Sequence, residues 1–121
     1  MSYSAFLMIS SQLSTRRKGL CQVQDSSIKV EENHGRDSWV LSTKVFDSDG
    51  CKVPSFLKNN LASMNVFRWQ QKGAYLKIGE DGQSVYLQQD IKALNRYVAF
   101  RAVMSDFVQV ANEWKTILQD A

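Results

Sequence analysis

A chain of 121 residues, 44% hydrophobic and 11% aromatic with a single proline, is long enough to bury a core and too short for a catalytic domain joined to a regulatory one. Its 15 Lys and Arg against 12 Asp and Glu leave a formal charge of +3, an excess too mild to define a nucleic-acid-binding face by itself. No run approaches the roughly 18 to 20 apolar residues of a membrane span, and MSYSAFLMISSQLS has neither a basic residue ahead of its apolar part nor a convincing cleavage site, so one soluble domain over residues 1–121, not inserted in a membrane, is expected.

The first segment, SYSAFLMISSQLSTRRKG, sets Tyr3, Phe6, Leu7 and Leu13 at near-helical spacing. Ser2 or Ser4 is available as N-cap and Gly19 as the stop. Arg16, Arg17 and Lys18, the one dense basic cluster, fall where cations offset a helix dipole, a better fit than phosphate binding. The period then changes to 2: Cys21 and Val23, then Ile28 and Val30, alternate with polar residues across Asp25-Ser26-Ser27, which predicts two antiparallel strands. Residues 32–37 read as a polar loop and SWVLSTKVF, residues 38–46, as a third strand. Asp47-Ser48-Asp49-Gly50 has the look of a calcium loop, but its glycine comes too early and later ligand positions are unfilled, so a turn is expected.

Pro54 suits the first turn of a second helix with Leu57, Leu61, Met64 and Phe67 along its apolar stripe and Gly73 beyond it. Ala74, Leu76 and Ile78 alternate with polar residues up to an Asp81-Gly82 turn, and Val85 and Leu87 return, the clearest hairpin in the chain. From Asp90, taken as its cap, a helical period places Leu94, Val98, Met104, Phe107, Val110, Ala111, Trp114, Ile117 and Leu118 on one broad face. The expected fold is α+β, three helices on a mainly antiparallel five-stranded sheet in the order α-β-β-β-α-β-β-α.

Catalytic chemistry has little to stand on. The only histidine, His34, falls in a polar loop with no nucleophile motif beside it. Gly79 and Gly82 flank a hairpin turn instead of the strand-to-helix junction a nucleotide site uses. The pairs Glu31-Glu32 and Glu80-Asp81 suit solvated charge better than an acid and base. Cys21 and Cys51 offer no zinc or redox spacing and fit a reducing cytoplasm, although one disulfide stays open. No enzyme activity, metal or cofactor is expected. FRWQQKGAYLK interleaves Phe67, Arg68, Trp69, Lys72, Tyr75 and Lys77, but burial of the aromatics outweighs base stacking. Amphipathic helices and sheet edges without an active site indicate a binder of other polypeptides. A basic nucleic-acid-binding module or another small interaction module is the alternative.

VPSFLKNNLASMNVF followed by GAYLKIGEDGQSVYLQQDI, and FVQVANEW with Phe107, Ala111 and Trp114 in an aromatic-x-x-x-Ala-x-x-Trp ending, resemble the class I chaperones of bacterial type III secretion, the small dimeric effector chaperones. KGLCQVQDSSIKVEEN fits their first hairpin. The resemblance implies a cytoplasmic protein that binds a non-globular segment of a secreted effector or gatekeeper protein without ATP. It places the cargo surface on Phe6, Leu7, Leu13, Val23 and Ile28 and the dimer seam on Leu57, Leu61, Met64 and Phe67. Each of these side chains also suits a core position. Such chaperones are usually acidic and this chain is basic, so beside a homodimer a heterodimer with an acidic chaperone subunit is a second expectation.

Overall fold

The computed structural model describes residues 2–33, 37–67 and 73–119. The elements follow the expected order: α1 (Tyr3–Arg16), β1 (Lys18–Val23), β2 (Ser26–Glu32), β3 (Ser38–Asp47), α2 (Ser55–Phe67), β4 (Tyr75–Ile78), β5 (Ser84–Lys92) and α3 (Tyr97–Gln119). The strands form one antiparallel sheet of order β1-β2-β3-β5-β4.

Side-chain alternation gives the sheet one buried and one open face. Ile28 and Val30 of β2, Leu41 and Val45 of β3, and Val85 and Leu87 of β5 point into the core. Lys29, Ser42, Gln88 and Tyr75 form a cross-strand row on the other face. α1 packs against β1 and β2, α3 against β3, and α2 against β4. Phe100, Met104, Phe107, Val108, Ala111, Trp114 and Leu118 give α3 one continuous buried face that meets the strands in a single apolar core.

Local chemistry fixes the ends of α1. Ser2, in an extended conformation, accepts a hydrogen bond from the Ala5 N–H at 3.1 Å, removing one of the orphan donors of the first turn. The stop differs from the expected one: Arg17 (φ 59°), not Gly19, takes the left-handed cap and donates its N–H to the Leu13 carbonyl at 3.0 Å. Gly19 already lies in β1, where a Cβ would stand 2.8 Å from Gln12 Oε1 and 3.3 Å from Gln12 Cβ. Its glycine identity serves the close approach of helix to strand, which also lets Gln12 Oε1 accept from the Leu20 N–H at 3.3 Å.

Two further boundaries move. The first hairpin turns at Gln24 (φ 53°) and Asp25, so Ser26 and Ser27 belong to β2, opposite Val23 and Gln22. Asp90 lies within β5, paired with Val40, and α3 starts seven residues later, at Tyr97, once the ladder is spent. Asp90 is therefore not the cap of α3; the Arg96 carbonyl instead accepts from the Phe100 N–H at 3.0 Å. Pro54 directly precedes α2, and its carbonyl accepts from the Leu57 and Lys58 N–H groups at 3.1 and 3.0 Å. Asp47 Oδ1 closes the DSDG turn by accepting from the Asp49 N–H at 2.9 Å, while its other oxygen accepts from Lys44 Nζ at 3.2 Å. Both contacts hold its carboxyl below the usual range.

Candidate functional site

α1 carries apolar side chains on two faces. Phe6, Ile9 and Leu13 are buried at one-turn spacing, whereas Tyr3 and Leu7 are 57% and 49% exposed on the adjoining shoulder. That shoulder forms one wall of a cleft of about 510 Å³. The ends of β2 and β3 supply Glu32, Asp37 and Trp39, and the link between β5 and α3 supplies Ala93, Leu94 and Asn95.

The walls are fixed from below by an aromatic cluster. Phe6 meets Phe100 at 5.2 Å and Tyr97 at 5.8 Å between ring centroids, and Trp39 stands edge-on to Phe100 at 6.1 Å. Tyr3 meets Tyr97 edge-on at 5.4 Å. Each such pair contributes roughly 0.5 to 1.5 kcal/mol beyond its buried area, so the floor is preformed. Backbone bonds hold the rim: the Glu32 N–H donates to the Arg17 carbonyl at 2.8 Å and the Ala93 N–H to the Asp37 carbonyl at 2.9 Å. These two bonds tie the strand ends to α1 on one side and to the α3 link on the other.

The expected cargo residues divide accordingly. Phe6, Leu7 and Leu13 come together at this cleft, but only Leu7 has substantial surface; Phe6 and Leu13 are each 5% exposed and build its floor. Ile28 has no exposed surface at all, because its position in β2 points it into the core, so it has nothing to offer a partner. Val23, half-buried, lines a different groove of about 720 Å³ between the β1–β2 turn and α3. On α2, Leu57 and Leu61 are packed into the chain's own core at 2% and 9% exposure, and Phe56, 55% exposed, is the large apolar group that α2 presents to solvent among its described side chains. The side chains of Met64 and Phe67, and all of His34, Arg68, Trp69 and Lys72, lie outside the described residues.

Sequence reasoning missed Trp39, Glu32 and Asp37 as lining of this cleft and Tyr97 as a ring partner of Tyr3 and Phe6. Trp39 carried a usable signal, since it shares the inward alternation of Leu41 and Thr43 yet sits at the strand end where the core runs out. Glu31 and Glu32 separate by strand alternation: Glu31 pairs with Lys29 on the open face, and Glu32 turns to the cleft. Among the described residues no group of three or more His, Cys, Asp or Glu could hold a metal, and none of the helices is long and apolar enough to cross a membrane. Burial pushes the Cys21 thiol up to about 11, which suits an inert core group and not a nucleophile.

The structure is thus a helix-flanked antiparallel sheet with a cleft walled by α1 and the ends of β2 and β3. The Tir chaperone protein (CesT) family model matches residues 4–115, so the chain belongs to that family. The resemblance to type III secretion chaperones read from the sequence is thus borne out. No curated protein sequence matches the chain. Among solved structures, a chain of the ExsC-ExsE complex is similar with a TM-score of 0.67 at 18% identity, over 84% of this chain and 75% of that one. A chain of the HopA1-SchA chaperone-effector complex is similar with a TM-score of 0.63 at 11% identity, over 93% of this chain and 91% of that one. At such identities these likenesses speak for the fold.

Proposed function

We propose that the chain is a cytoplasmic chaperone of a bacterial type III secretion system that holds a non-globular segment of a secreted effector or gatekeeper protein in an export-competent state, without ATP. The observation that carries this reading is the family match over residues 4–115. The exposed apolar shoulder of α1 is consistent with it, because Tyr3 and Leu7 leave apolar area uncovered beside a rigid aromatic floor. An extended segment laid along α1 would bury that area, its own ordering entropy offset by contacts the chaperone holds ready. Binding of this kind uses only differences in buried area and needs no nucleotide.

The functional particle in this reading is a homodimer with α2 at its seam, where Phe56 stands exposed. The formal charge of +3 favours a second arrangement, a heterodimer with an acidic chaperone subunit. Light scattering separates them: a particle of twice 13.8 kDa that Phe56→Asp splits supports the homodimer, and a monomer that dimerises only with an acidic chaperone supports the heterodimer.

The function itself is tested in the native bacterium. Deleting the gene lowers the intracellular stability and secreted amount of one or a few effectors and spares the rest, and the Leu7→Asp variant fails to restore them. Unchanged secretion of every effector in the deletion strain refutes the reading.

A further inference from the structure

We propose that the α1 cleft selects a cargo segment of about five residues in which a Lys or Arg stands beside the apolar side chain that fills it. This rests on the cargo-binding reading above and adds to it the chemistry of the segment.

The charge of the cleft runs against the charge of the chain. The protein carries a formal +3, yet among the described residues the charged side chains lining this cleft are Glu32 and Asp37, both acidic, with no Lys or Arg beside them. Among the described residues neither carboxylate is engaged in an ion pair. Both are placed by backbone bonds at the rim, Glu32 through its N–H to Arg17 and Asp37 through its carbonyl to Ala93. Trp39 lines the same cleft; it follows Asp37 by two residues and pairs across the ladder with Glu32 in β2 and Ile91 in β5. An apolar side chain seated against Leu7, Trp39 and Leu94 therefore shares the cleft with both carboxylates, and the residues that flank it are the ones to meet them.

The length follows from geometry. The α1 wall runs from Tyr3 to Ser14, about 16 Å at 1.5 Å per helical residue. An extended peptide covers that distance in about five residues at roughly 3.3 Å each. A cation on such a peptide gains from each rim carboxylate the modest energy of a solvent-exposed pair, and an anion loses it. Apolar contact supplies affinity and the rim supplies selection.

The test is selection of a displayed library of random ten-residue peptides on the purified full-length protein, with circular dichroism as the folding control for every variant. The expected result is enrichment of apolar residues together with an enrichment of about fivefold in Lys and Arg beside them. Glu32→Gln with Asp37→Asn removes the basic preference and keeps the apolar one, and Leu7→Asp removes both. Leu7-dependent peptides without a basic preference overturn this inference and leave the cargo-binding reading intact. No Leu7-dependent peptide at all overturns both; if Leu7→Asp then also turns a dimer into a monomer, the occupant of the cleft is a second copy of the chain.

Discussion

Neighbouring residues on α1 separate a folding role from a binding role. Phe6 is 5% exposed and touches Tyr3, Tyr97 and Phe100 at centroid distances of 6.2, 5.8 and 5.2 Å. Phe6→Ala empties the floor of the cleft, and a buried Phe→Ala change costs roughly 3 to 5 kcal/mol. Leu7, one position on, is 49% exposed. Full burial of a leucine side chain is worth roughly 1.5 to 3 kcal/mol; half of that, about 1 kcal/mol, is already realised in the folded chain and is what Leu7→Ala removes from stability. The other half is available to a partner, and about 1 kcal/mol corresponds to roughly a fivefold change in Kd. Urea unfolding followed by circular dichroism, at one fixed protein concentration because an oligomer's stability depends on it, measures the first quantity. Calorimetric titration with an effector found in the secretion experiment measures the second. Leu7→Ala is expected to lose about 1 kcal/mol of stability together with its affinity, and Phe6→Ala to lose roughly 3 to 5 kcal/mol of stability. If Leu7→Ala is as destabilised as Phe6→Ala, or binds its effector as tightly as the parent, the assignment of the α1 shoulder to a partner is wrong.

Gly19→Ala places a methyl 2.8 Å from Gln12 Oε1 and is expected to cost about 1 to 2 kcal/mol by thermal melting; adding Gln12→Ala recovers much of that, and no recovery refutes the steric argument. Arg17→Gly relieves a left-handed φ of 59° and stabilises by roughly 0.5 to 1 kcal/mol, so an unchanged or lower melting temperature counts against the cap assignment. The two thiols differ: exposed Cys51 reacts promptly with a soluble disulfide reagent and buried Cys21 only on unfolding, and equal rates contradict that placement. Because burial raises the Cys21 pKa from 9.0 to about 11, the unfolded chain loses its proton first; stability therefore declines as pH rises from about 9 towards 11, and Cys21→Ala removes that part of the slope in a series of urea titrations.

The regular parts of the fold were legible because their periodicity is purely local. Leu76 and Ile78 against Val85 and Leu87 gave the second hairpin, and Leu57 and Leu61 gave α2, since each pattern reports which side of one element meets apolar neighbours. Boundaries failed where a tertiary requirement overrode a local rule. Gly19 looks like a helix stop by residue type, but the close packing of Gln12 on β1 had the stronger need for a missing Cβ, and Arg17 took the left-handed position at some cost. Asp90 looks like a cap because an acidic residue precedes a helical pattern, yet its pairing with Val40 belongs to a ladder no local window contains. The cleft was half visible for the same reason. Phe6, Leu7 and Leu13 share a helix and announce themselves together, whereas Trp39, Leu94 and Tyr97 reach them only through the sheet order β1-β2-β3-β5-β4.

The contrast between α1 and α3 bears on which helix serves a partner. α3 sends Phe100, Met104, Phe107, Ala111, Trp114 and Leu118 to one side, and that side is fully used by the chain's own sheet. Among its large apolar residues only Val98 is strongly exposed, at 78%. α1 is shorter and spends its apolar residues differently: Phe6, Ile9 and Leu13 face the core, while Tyr3, Leu7 and Met8 remain 49% to 60% exposed. For a helix needed only to close a core, those exposed positions would be better filled by polar residues, which avoid aggregation at no cost to packing. Apolar side chains kept on an outer shoulder, above a floor of interlocked aromatic rings that cannot collapse to cover them, are a surface held open. The C-terminal helix thus explains why the domain folds, and the apolar shoulder of the N-terminal helix is what the proposed binding of a second polypeptide would cover.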